Sequence, residues 1–243
     1  LMPGRFRDKL KWLDPFTYVD HYVMPVVNPH KNEHIELAVD IVFAFLFAFI
    51  LYNFVLAFLL GTSTPLVIVY SESMEPVLRR GDVVVLTGSK AIDVLEAPVD
   101  FPVAGRHVTG FAEPLIGQYI GTERVSGLSI GGKEYAFDSS GPIVVYRSSL
   151  NGLDIIHRAV LKLKAPDGEF LITYGDNART NSAFDELCPA IPRCYPGTQK
   201  CDCITEYPIP VPELKGKYFF HIPLIGYIKL LIFDDLPKLF SGR

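Results

Sequence analysis

The chain has 243 residues, with 23 Lys and Arg against 27 Asp and Glu, a net charge of −4 and 49% hydrophobic residues. Without a basic excess it lacks the electrostatic footprint of a nucleic-acid-binding protein. Its mean hydropathy of +0.25 is high for a water-soluble chain, and the excess is concentrated in one place.

Residues 1–36 are mixed, with Arg5, Arg7, Lys9, Lys11 and Lys31 set among acidic residues. We assign them to a weakly basic cytoplasmic segment. The run IVFAFLFAFILYNFVLAFLL at 41–60 follows, with no charge and Asn53 as its only strongly polar residue. A helix of about 20 apolar residues spans a hydrocarbon core of roughly 30 Å. A buried helix seldom stays apolar all round for so long, and the run exceeds the apolar region of a cleaved leader. Residues 37–62 are therefore read as a permanent transmembrane anchor. Lys and Arg before it place the N-terminus on the cytoplasmic side. Arg79 and Arg80 beyond it blur the count.

Past Gly61 the pattern changes to short runs rich in Val, Ile and Tyr: LVIVY at 66–70, DVVVL at 82–86, PIVVYR at 142–147, IIHRAVLKLK at 155–164 and EFLITYGD at 169–176. Such runs predict strands. Residues 88–140 carry many Gly, Pro and Ser and are read as an insertion or subdomain; the Gly-Gly of LSIGGKEYAF predicts a hairpin turn. YFFHIPLIGYIKLLIF, near the end, is broken by Pro223, Gly226 and Lys229. It is read as a strand followed by an interfacial helix. The expected fold is mainly β behind one transmembrane helix, with 63–243 as an extracytoplasmic domain.

A serine lies just beyond the apolar run, in SESMEPVLRRGD. A Ser hydroxyl is a weak nucleophile until a base takes its proton, so a base and a group orienting it are required. SESMEP with RRGDVVVL resembles the nucleophile box of type I signal peptidases. DIIHRAV resembles their second box, YGDN with FDE the third, and HIPLIGYIKLLIFDDLPK the last segment of the archaeal and endoplasmic-reticulum branch. The order and rough spacing of the four boxes match over about 37–238, leaving out 88–140 and the Cys-rich segment at 186–210.

The resemblance implies a domain of coiled β-sheets and a set of roles. Ser73 is the nucleophile. His157, where bacterial members have Lys, is the general base. The third box implies two acidic residues, Asp176 and Asp185, the second displaced by a longer loop. Asp185 is expected to orient His157, with Asp176 supporting the loop or the imidazole; Glu186 is an outside candidate. The backbone N–H of Ser73 and the hydroxyl of Ser71 are the expected oxyanion donors, and Val67 and Val69 are expected to line shallow apolar substrate pockets. Arg158 is expected to brace the sheet, Met74 to pack, and Glu72 and Glu75 to be solvated. His107 is the reserve base. An imidazole with an ordinary pKa near roughly 6.5 can accept the Ser proton near neutral pH, help worth on the order of 10²–10⁴-fold.

Cys188, Cys194, Cys201 and Cys203 fall within one loop. Cys201 and Cys203 are poorly placed to bond each other. Two disulfides from these to Cys188 and Cys194 are expected, in either connectivity, and need an oxidising compartment or a thermophile's interior. A zinc site lacking the usual close Cys pair and free thiols are the alternatives.

The expected activity is removal of signal peptides from exported preproteins through an acyl-enzyme, with no metal or organic cofactor. Expected partners are signal peptides, the lipid bilayer and other membrane subunits, without nucleic acid. The domain is expected outside the cytoplasm on a single-pass anchor in the cell membrane, or in the lumen in a reticulum membrane. Two competing readings are a narrow-specificity serine peptidase of the same fold and a non-catalytic module that binds signal peptides or scaffolds a complex.

Overall fold

A computed structural model of the chain describes residues 11–88, 91–119, 122–194 and 201–236. Arg5, Arg7 and Lys9 of the basic flank and residues 195–200 of the Cys-rich loop lie outside them. The chain divides between Leu59 and Leu60 into two units.

The first unit is helical. Helix α1 (15–27) opens on Asp14, whose side chain accepts from the Phe16 N–H at 3.0 Å. The second helix, α2 (Glu33–Leu60), is long and apolar enough to cross a membrane, and none of its apolar window is buried in protein. Asn32 caps its start through the His34 N–H, as Asn does at exposed helix N-termini. The polar Asn53 donates back to the Phe49 carbonyl of its own helix at 3.0 Å. Its amide therefore finds a partner without water.

The second unit is mainly β. Strands β1 (Leu66–Ile68), β2 (Val83–Thr87), β3 (Glu96–Pro98), β7 (Ile143–Arg147), β8 (Asp154–Ala165), β9 (Gly168–Tyr174), β10 (Ile209–Pro210) and β11 (Gly216–Ile222) form one sheet. Its order is β1-β2-β11-β7-β8-β9-β10, with β3 parallel to the second half of β8. The five predicted runs map onto β1, β2, β7, β8 and β9. After β11 the chain turns into helix α3 (227–235), so the terminal run is a strand followed by a helix.

Strands β4 (Ala112–Tyr119), β5 (Thr122–Ile130) and β6 (Lys133–Ala136) form a separate antiparallel sheet inside 88–140. Gly131 and Gly132 turn the β5–β6 hairpin with φ of 57° and 78°, as a two-residue turn requires. This sheet shares a core with the main one: Leu128, Val125 and Tyr135 are buried together with Leu161, Leu163, Phe170 and Ile172. The described residues of 88–140 thus add a layer to the domain and share its core.

Candidate active site

Ser73 sits in the loop that joins β1 to β2. The loop is closed at its base, where the Val69 N–H donates to Asp82 O and the Gly81 N–H to Val69 O, at 2.9 and 2.8 Å. Met74 and Leu78 plug it from within, fully buried against Val84, Leu86 and Val145. Asp82 adds a polar clamp, accepting from the N–H groups of Arg79 and Leu224 at 2.9 and 3.1 Å. Gly81, at φ 90°, lies under the Tyr227 ring, where a Cβ would approach to 2.2 Å. RRGD is therefore the structural base of the Ser73 loop.

His157 projects from β8 and is 3% exposed. Its Nε2 lies 2.8 Å from Ser73 Oγ, and its Nδ1 2.7 Å from Asp185 Oδ2. A carboxylate oxygen only accepts, so Nδ1 carries the ring proton and Nε2 is left to accept from the Ser73 hydroxyl. Ser73 Oγ in turn accepts from the Ser71 hydroxyl at 3.0 Å. Three residues far apart in sequence thus form a continuous line of proton acceptance from Ser73 to Asp185.

Asp185 is 1% exposed. Three donors converge on its Oδ2: His157 Nδ1, the Tyr146 hydroxyl at 2.7 Å and the Thr173 hydroxyl at 2.6 Å. Its backbone is fixed as well, with its N–H donating to Thr173 O and its carbonyl accepting from the Ile204 and Thr205 N–H groups. Burial, followed by the Asp185 charge, pushes the Tyr146 phenol well above its ordinary range, which keeps it a donor.

Asp176 takes no part in this line. It binds Arg158 Nε and Nη2 at 2.8 and 2.6 Å, while Arg158 Nη1 donates to Gly141 O at 2.6 Å. Arg158 and Asp176 together tie β8 to the segment before β7 and to the turn after β9. Of the two roles expected for Asp176, support of the loop or of the imidazole, the second is corrected accordingly. Glu186 does not reach His157; it is wholly buried, accepts from the Thr173 N–H and lies 2.9 Å from the Thr173 hydroxyl.

Asn177 and Asn181 escaped the sequence analysis. The Asn177 N–H and Asn181 Nδ2 both donate to the Ser73 carbonyl, at 2.9 and 3.0 Å, and Asn177 Nδ2 donates to Glu72 O. They fasten the Ser73 loop to the turn after β9. Their signal was the YGDNARTN string, where a turn explained Asn equally well.

Val69 is 1% exposed and packs in the core with Met74 and Leu78, and Val67 packs against the same cluster. The expected role of Val69 in lining a substrate pocket is corrected, because its 1% exposure leaves no surface for a ligand, whereas Val67 is only half-buried. His107 lies 3.3 Å from Glu206, in contact with Tyr207, and is no reserve base. The cysteines pair as Cys188–Cys203 and Cys194–Cys201. All four sulfurs are thereby used, which removes the zinc and free-thiol alternatives. These bridges are compatible with an extracytoplasmic location. A cleft of about 480 Å³ lined by Pro76, Val77, Arg124, Arg158, Tyr174 and Asp176 lies beside the loop. It belongs to the Arg158 side, and none of Ser73, His157 and Asp185 lines it.

No model of a known protein family matches the chain, and no curated protein matches it.

Proposed function

We propose that the chain is a membrane-anchored serine endopeptidase of the signal peptidase type, which removes signal peptides from exported preproteins. The observation that carries this reading is the 2.8 Å and 2.7 Å pair of contacts that His157 makes with Ser73 and Asp185. A hydroxyl, an imidazole in the accepting tautomer and a buried carboxylate are the parts of acyl transfer by a Ser-His-Asp triad.

In this mechanism Ser73 Oγ attacks the scissile carbonyl carbon as its proton passes to His157 Nε2. Asp185 holds the ring and balances the imidazolium charge. His157 then gives the proton to the leaving amine, and water, activated by the same ring, releases the acyl group. The developing oxyanion is met by the Ser73 N–H and by the Ser71 hydroxyl, which turns from Ser73 Oγ as that atom is consumed. Among the described strands β1 stands at the end of the sheet order, and it leads directly into the loop that carries Ser71 and Ser73, so an extended peptide that docks beside this end of the sheet can reach both hydroxyls.

Two features favour a substrate that is itself held in a bilayer. The chain carries an apolar helix of membrane-spanning length that ends thirteen residues before Ser73. Phe219, Phe220, Ile228 and Phe233 of β11 and α3 are exposed, an apolar surface suited to lipid. Tethering enzyme and substrate to one membrane raises their effective concentration.

The test is cleavage of a panel of preproteins by the detergent-solubilised full chain. Processing at the signal-peptide junction, lost in Ser73→Ala, is the expected result. Cleavage that survives Ser73→Ala would sink the mechanism, and cleavage of one preprotein class alone would favour the narrow-specificity reading.

A further inference from the structure

Four oxygens are packed together beneath His157, and the hydrogens available to them can be counted. The contacts are Tyr146 Oη to Asp185 Oδ2 at 2.7 Å, Thr173 Oγ1 to Asp185 Oδ2 at 2.6 Å, Thr173 Oγ1 to Glu186 Oε1 at 2.9 Å, and Thr173 Oγ1 to Tyr146 Oη at 3.1 Å. Tyr146 and Thr173 supply one hydrogen each. If both acids were ionised, two hydrogens would serve three short contacts, and Thr173 would face one carboxylate with no proton between them. A third hydrogen resolves this. It belongs on Glu186, because two further donors, His157 Nδ1 and Tyr146, already converge on Asp185 Oδ2. Asp185 Oδ1 is buried without a partner, so a proton there would be stranded.

We propose that Glu186 is a positioning residue, a neutral carboxylic acid that donates to Thr173, so that Thr173 donates to Asp185 and Asp185 stays the single anion beneath His157. This deepens the peptidase reading and takes its importance from it. A second anion beside Asp185 would make the imidazole hold its proton more tightly and deprive Ser73 of its base. The titratable groups around Glu186 are Asp185 beside it and Tyr146 on β7, with His157 on β8 and Tyr174 on β9 facing Asp185. Complete burial, then the Asp185 charge, favours the neutral form of Glu186.

The test uses the full chain in detergent at neutral pH. Infrared spectroscopy should show the carbonyl stretch of a protonated carboxyl. That band should shift when the unmutated protein carries ¹³C-labelled Glu, and vanish in Glu186→Gln. Ring-nitrogen NMR should find residue 157 taking up its proton at the same pH in Glu186→Gln as in the parent, since no charge has been removed. Activity should fall about tenfold in Glu186→Ala, the worth of one hydrogen bond, and be rescued by Gln, which keeps a donor. A band that ignores Glu labelling overturns the proposal, as does a ring that protonates about a pH unit lower in Glu186→Gln. The infrared and NMR readouts use no substrate, so they stand or fall separately from the peptidase reading.

Discussion

Asp176 holds the Arg158 guanidinium with both carboxylate oxygens, at 2.8 and 2.6 Å, one residue along β8 from His157. Successive side chains of a strand point to opposite faces, so a carboxylate committed to Arg158 is turned away from His157. Asp185 comes to the ring from the other side. The two acids should therefore fail differently. Asp185→Asn should lower kcat by about 10⁴-fold by favouring the wrong tautomer. Asp176→Asn should cost about 1–3 kcal/mol of stability and far less turnover. Steady-state kinetics and thermal unfolding of the two variants check this.

The Ser73 carbonyl is pinned by Asn177 N–H and Asn181 Nδ2. A side-chain carboxylate at 181 would repel that carbonyl, whereas Ala would merely release it. Asn181→Ala should lower kcat about tenfold and Asn181→Asp about a hundredfold, with KM little changed, as expected when a nucleophile is displaced by a fraction of an ångström. An equal rise in KM in both variants would assign Asn181 to substrate binding instead.

Ser71 lies 3.0 Å from Ser73 Oγ, close enough to follow the charge as it moves to the substrate oxygen. Ser71→Ala should cost about 10²–10³-fold in kcat, the scale of one lost oxyanion donor. Ser71→Thr, which keeps the hydroxyl, should recover most of it. Pre-steady-state acylation rates provide the measurement.

Glu186 links the site to stability. Its folded-state proton affinity lies well above the ordinary carboxylate value of 4.5, through burial and then the Asp185 charge. The folded chain therefore holds a proton that the unfolded chain releases above that value. Stability from this group is full below pH 4.5 and is lost as pH rises toward the folded value. Glu186→Gln should flatten this fall, so that the variant gains on the parent as pH rises from 4.5 to neutrality in denaturant titrations.

The two disulfides should not be equivalent. Cys188 and Cys203 close a separation of 15 residues and flank the strip where the Asp185 carbonyl accepts from Ile204 and Thr205. Cys194 and Cys201 close a separation of 7, farther along the loop. Chain entropy assigns about 3 kcal/mol to the first and about 2 to the second. Replacing Cys188 and Cys203 by Ser should loosen Asp185 and lower kcat. The Cys194 and Cys201 double variant should mainly lower the melting temperature.

Much of this molecule was legible before any coordinates. An uncharged run of twenty residues, apolar but for Asn53, predicted a helix long enough to cross a membrane, and the chain forms a helix of that length and hydropathy there. The alternating Val, Ile and Tyr runs announced β1, β2, β7, β8 and β9, since a half-buried pleat repeats every two residues. The boxes carrying Ser73, His157 and Asp185 pointed to three side chains that the fold does bring into hydrogen-bond contact. The groups that hold these three in place, Tyr146 and Thr173 on Asp185 and Asn177 and Asn181 on the Ser73 carbonyl, were out of reach. Whether Asp176 or Asp185 meets the imidazole depends on which face of β8 each loop returns to, and 28 residues separate His157 from Asp185. Val69 read as a pocket wall because alternation fixes which residues share a face but leaves open which face looks inward. Asn177 and Asn181 looked like turn residues until the fold brought the Ser73 carbonyl over them. A sequence sets the kind of each element through local periodicity. Which buried groups must share a proton is decided only by packing, because hydrogen-bond partners come from segments far apart in the chain.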